Sequence, residues 1–193
     1  MRKAALIFTV ICFMLPNMAS AHTGAVGTTG FMHGFGHPLW GADHMLAMIA
    51  VGLWSAQIGG RSTWALPCTF VGLMALGGIL GFSGFPLPFV EEGIWVSILL
   101  LGVLIASASK LPLAYSMSIV GVFAIFHGHA HSTEMPTSIG FASYAMGFSL
   151  ATAMLHSAGI GLGTLMKHAN FQILSRVGGG AIALGGMYLS VAQ

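Results

Sequence analysis

Six apolar runs, five of about 17–25 residues and a longer fifth, follow one another with only short polar connections between them, and they leave little choice of fold. They lie near residues 38–58, 64–82, 93–109, 112–130, 138–165 and 175–192. A helical run of that length matches the hydrocarbon core of a bilayer, and backbone inside lipid has to satisfy its own hydrogen bonds. The expectation is an all-α fold: a polytopic membrane helix bundle of about six transmembrane helices. Composition agrees, because 56% of the residues are hydrophobic and 5% are charged, against about 25% charged in soluble domains. A net charge of +2 carried by so few ionisable groups excludes a nucleic-acid-binding surface and leaves membrane lipid as the bulk partner.

The N-terminus reads as an address. Arg2 and Lys3 precede an apolar stretch from Ala4 to Leu15, and Ala19-Ser20-Ala21 has the small-residue spacing of a cleavage site. A signal peptide over 1–21 is therefore expected, with a single transmembrane domain over 22–193. Cys12 leaves with the leader, so Cys68 has no partner for a disulfide and is expected to pack as a small apolar residue.

Charge orients the bundle. Arg61, Lys110, Lys167 and Arg176 fall in alternate connections, and the remaining connections carry Glu91, Glu92 and Glu134 with no Lys or Arg. The positive-inside rule puts the first set in the cytoplasm. The acidic connections and the cleaved N-terminus then lie outside the inner membrane of a bacterium, so leader and loop charge agree on one topology. Gly77-x-x-x-Gly81, Gly179-x-x-x-Ala183 and Ala181-x-x-x-Gly185 offer small faces for close helix contact. The sequence leaves a homo-oligomer open.

Against this background His33-Gly-Phe-Gly-His37-Pro-Leu-Trp-Gly-Ala-Asp43-His44 stands out. An Asp at a helix centre costs about 2.5–3.5 kcal/mol on insertion scales, so its presence calls for a use. Pro38 suits a first helical turn, which predicts a helix starting near Pro38 with His37 at its lip and Asp43 and His44 more than a turn below. His33, His37 and His44 share a helical face by spacing, and Asp43 lies off it, where a carboxylate can orient an imidazole ligand. A second cluster, Phe126-His127-Gly-His129-Ala-His131-Ser-Thr-Glu134, closes the fourth run on the same outer side, and Gly128 can bend the backbone there so that several imidazoles converge. Seven of the nine histidines, including His22 at the expected new N-terminus, fall at the outer side.

Imidazole suits nickel, copper, zinc and cobalt, and carboxylates add charge for any dication. His37, Asp43, His44, His127, His131 and Glu134, with His33, His129 and His22, are the candidate metal ligands of a small membrane transporter whose partner is a divalent ion. His156, inside the fifth run, is either a helix-bridging hydrogen-bonding residue or a relay deeper in the path. Met45, Met48, Met135 and Met146 are expected to be core residues. No G-x-x-x-x-G-K-[ST] loop and no H-E-x-x-H occur, so neither ATP hydrolysis nor another enzymatic activity is expected. The alternatives are a metal-binding subunit feeding a separate transporter and a membrane zinc-dependent hydrolase.

The two motifs resemble those of the HupE/UreJ family of nickel and cobalt permeases. His37-Pro-Leu-Trp-Gly-Ala-Asp43-His44 fits H-x5-D-H. Phe126-His127-Gly-His-Ala-His131-Ser132-Thr-Glu134 fits F-H-G-x-A/V-H-G-x-E, with Ser132 where the family has Gly. The resemblance covers the whole chain. It implies secondary uptake of Ni2+ or Co2+ as transported substrate, with no organic cofactor, through His37, Asp43, His44, His127, His131 and Glu134. His33 and His129 rest on the residue reading alone.

Overall fold

The computed structural model describes residues 30–192, and within them the chain is all-helical. The seven helices are α1 (Gly30–Trp40), α2 (Ala42–Ile58), α3 (Ser62–Phe82), α4 (Val90–Ala106), α5 (Leu113–Thr133), α6 (Phe141–His168) and α7 (Gln172–Ala192). Three of them, α3, α5 and α6, are long and apolar enough to cross a membrane. At 1.5 Å rise per residue the 17 residues of α2 or α4 extend for about 26 Å. The expected leader and His22 lie outside the described residues.

The predicted start at Pro38 is corrected. Pro38 lies inside α1, and the helix runs on to Trp40. The missing N–H of a proline weakens a helix by itself, but α1 is held from outside. Gly34 brings its backbone against the Tyr144 carbonyl, and Gly147 receives the Phe31 carbonyl in the same way, so α1 is clamped onto α6. The break comes at Gly41, whose extended backbone (φ −78°, ψ 110°) separates α1 from α2. Asp43 and His44 are consequently in the first turn of α2, where the N-terminal end of the helix dipole favours a carboxylate.

The helices pack in pairs: α3 with α5, α4 with α7, α2 with α6, and α1 with α6. Missing side chains make the pairs close. Gly77 and Gly81 on α3 face Ile125 and His129 on α5, and Gly102 on α4 meets Gly179 and Ala183 on α7. These are two of the three small-residue faces expected from sequence. Gly128 does not bend α5, which is helical through Thr133. Its role is to admit the Met74 carbonyl of α3. A straight α5 turns His127 and His131 to one face and His129 to the other.

The core is a column of Met48, Val51, Trp54, Leu66, Phe70, Ile98, Leu101 and Val120, all fully buried. Trp54 donates its indole N–H to the Ser109 carbonyl (3.0 Å) and Gln57 its amide to the Ile105 carbonyl (3.1 Å), which ties the far end of α2 to the end of α4. Cys68 is exposed on α3 and so is not the packing residue expected, because the α3 face that meets α5 is taken by Gly77 and Gly81. Trp40 and Trp64 are exposed near helix ends, as membrane-interface anchors are.

Candidate metal centre

Three histidines from three helices converge near one end of the bundle. His37 near the end of α1, His44 in the first turn of α2 and His131 near the end of α5 each offer a ring nitrogen within 4.8 Å of the other two. The ring centroids of His37 and His131 are 4.7 Å apart, those of His44 and His131 4.0 Å, and those of His37 and His44 5.8 Å. His44 and His131 are buried, and His37 is half-buried at the mouth.

Two carboxylates flank them. His37 Nε2 lies 3.2 Å from Glu134 Oε2, and His44 Nδ1 lies 2.6 Å from Asp43 Oδ1. The second contact is an approach at ion-pair distance without hydrogen-bond geometry, and the same Oδ1 accepts the His44 backbone N–H at 2.8 Å. The carboxylate faces Nδ1, and Nε2 on the other side of the ring is buried without a hydrogen-bond partner among the described residues. Both nitrogens of His131 are buried without a hydrogen-bond partner among the described residues. Such a group bears an uncompensated desolvation penalty of about 1–3 kcal/mol.

His127 sits one turn below His131 on the same face of α5, with its ring 5.2 Å from that of His44. Its Nε2 lies 3.0 Å from Ser97 Oγ. Ser97 uses its own hydroxyl hydrogen on the Ile94 carbonyl (2.6 Å), so it accepts from His127 Nε2–H. His127 Nδ1 is then the bare nitrogen, buried and without a partner among the described residues.

The remaining candidates lie apart from the cluster. His129, on the opposite face of α5, donates from Nε2 to the Phe85 carbonyl at 2.8 Å and tethers the α3–α4 connection. The His33 ring lies 6.2 Å from Tyr144, and the structure does not bring it into the His37–His44–His131 group. Tyr144, Phe148 and Ser97 complete the surroundings and were not singled out from sequence. The Phe148 ring lies tilted against that of His131, with centroids 3.7 Å apart, and the Tyr144 ring lies 6.2 Å from that of His37. Ser97 had a signal, as a lone hydroxyl in the apolar run Ile94-Trp-Val-Ser97-Ile-Leu-Leu. The aromatic residues had none, since one ring in an apolar helix reads like any other.

Charge separates along the bundle. Asp43, Glu91 and Glu134 lie where α2 and α4 begin and α5 ends, whereas Arg61, Lys110, Lys167 and Arg176 lie where α3 and α7 begin and α4 and α6 end. The cluster therefore combines three imidazoles with two nearby carboxylates, donor types that suit a divalent cation.

The family model described as HupE / UreJ protein matches residues 10–189. The chain is 42% identical over 191 residues to Protein HupE of Rhizobium leguminosarum bv. viciae, an alignment that covers 99% of this chain and 100% of that protein. No solved structure matches. With both comparisons running almost end to end, through the segments that supply His37, Asp43, His44, His131 and Glu134, the chain belongs to the HupE/UreJ family.

Proposed function

We propose that this protein is a secondary transporter that carries Ni2+ or Co2+ inward across a bacterial inner membrane. The reading is carried by the convergence of His37, His44 and His131, from α1, α2 and α5, with Asp43 and Glu134 beside them. Imidazole with carboxylate suits borderline first-row dications. The ion is substrate, not a resident cofactor. His37 and Glu134, with side chains 22% and 45% exposed, form the mouth that receives it. His44 and His131 take it over below, Asp43 orients His44, and His127 continues the line inward. A ligand set with few anionic groups binds an ion firmly enough to admit it and loosely enough to release it.

In the same reading residues 1–21 are a cleaved leader, α2 to α7 are six spans of one domain, and the acidic end of the bundle is periplasmic. The positive-inside distribution of Arg61, Lys110, Lys167 and Arg176 supports this orientation.

Purified full-length protein reconstituted in liposomes should accumulate nickel or cobalt, and the Asp43→Ala form should not. Binding without flux would favour a subunit that hands the ion to a separate transporter. A bound zinc with hydrolytic turnover and no flux would favour a membrane hydrolase. Equal uptake by the parent and Asp43→Ala proteins would overturn the proposal.

A further inference from the structure

The path does not end at His127. Phe70 of α3 is fully buried, and its ring touches two histidines: His127 with centroids 5.6 Å apart, and His156 of α6 edge-on at 5.1 Å. His156 is 1% exposed, and neither of its ring nitrogens has a hydrogen-bond partner among the described residues. It is therefore not the helix-bridging hydrogen-bonding residue that the sequence left as one option. It lies about 22 Å along α6 from Phe141 at 1.5 Å per residue, well beyond the outer cluster. One turn nearer that cluster, Thr152 is fully buried and its hydroxyl contacts Met74 Sδ at 3.8 Å. A thioether and a hydroxyl thus meet between α3 and α6 one helical turn from the buried His156, where Gly52 of α2 brings its backbone against the His156 carbonyl. Nitrogen and sulfur donors of this kind suit the same borderline dications as the outer site, and an unpartnered ionisable group at membrane depth is costly to keep without a use.

We infer that His156 is a second, inner station for the transported ion, with Met74 and Thr152 beside it, reached from His127 past the ring of Phe70. The inference rests on the transport reading above. Its separate content is that an ion leaving the outer cluster is next held by His156.

The test uses the full-length protein with Cys12 and Cys68 replaced by Ala as parent. In that background His156→Cys places the only thiol at the inner station. Adding cobalt to the reconstituted protein should produce a thiolate-to-cobalt charge-transfer band in His156→Cys and none in the parent. His156→Ala should lower the uptake rate by about tenfold or more while cobalt affinity at the outer cluster stays at the parent value. A merely structural histidine would not separate rate from affinity in this way. Should the Ala form fail to fold, His156→Gln, which keeps the bulk, is expected to show the same split. Parent-like uptake in a folded His156→Ala or His156→Gln protein, or no band in a His156→Cys protein that binds cobalt, would overturn the inner station and leave the outer site standing. A parent that neither binds nor moves cobalt would instead overturn the transport reading, and the inner station with it.

Discussion

His44 and His131 approach to 4.0 Å between ring centroids, although one stands in the first turn of α2 and the other near the end of α5. Both are buried, and among the described residues His131 has no hydrogen-bond partner on either nitrogen. Two imidazoles edge to face at this distance gain little from each other, and the proposed transport reading gives the pair a use as joint ligands of one cation. The predictions below follow from that relationship and from the residues that hold it.

His131→Gln should abolish high-affinity nickel and cobalt binding, whereas His129→Gln, two residues away, should keep it. The His129 ring is spent on the Phe85 carbonyl, and losing that bond should cost about 0.5–1.5 kcal/mol of stability with little change in the binding isotherm. Isothermal titration on both purified variants decides it, and similar losses of affinity in the two would count against the assignment of ligand faces on α5.

Asp43→Asn retains shape and removes the charge beside His44 Nδ1. Metal affinity should fall by about 10–100-fold, the usual loss when a partner that orients a ligand histidine is removed. Thermal unfolding in detergent should show a folded protein. Full affinity in this variant would mean that His44 is oriented by something other than the carboxylate.

Acid should release the ion. The ligands bind only as neutral imidazole, and an ordinary histidine takes its proton near pH 6.5. Protons and metal therefore compete, so affinity and uptake should be highest above about pH 7 and decline as pH falls through about 6.5 and below. Uptake into liposomes measured across buffers at constant ion concentration checks the sign. Affinity that rises in acid would contradict imidazole ligation.

Gly128→Ala tests the α3–α5 seam. The added methyl group would collide with the Met74 carbonyl and force α5 away from α3, an overpacking cost of about 1–3 kcal/mol. Because His127 and His131 ride on α5, the variant should lose thermal stability and metal affinity together. Gly72→Ala, where a methyl group meets nothing within 4 Å, is the matched control and should behave as the parent.

Parts of the site were legible in advance and parts were not. Spacing alone put His127 and His131 on one helical face, but whether His129 joined them depended on whether Gly128 bent the backbone. It does not bend because α3 presses its Met74 carbonyl into the space that the missing side chain leaves. Pro38 suggested a helix start, and α1 instead runs through it because Gly34 and Gly147 let two backbones meet. That contact belongs to α6, more than a hundred residues downstream, and no local pattern around Pro38 could report it. Neither could the sequence around His156 report that its ring finds no hydrogen-bond partner.

What the sequence determined by itself were the properties that scale with composition and period: the all-helical character of the described residues, the segregation of acidic from basic residues along the bundle, and the two His-and-acid segments. These follow from the energetics of each stretch of chain against lipid and water, which neighbours hardly alter. The tertiary structure alone decided which imidazoles meet, which one is spent on a carbonyl, and that Phe70 places its ring between those of His127 and His156. Those outcomes depend on backbone approaches between helices distant in sequence, where a glycine or a methyl group on one helix sets the position of a ring on another.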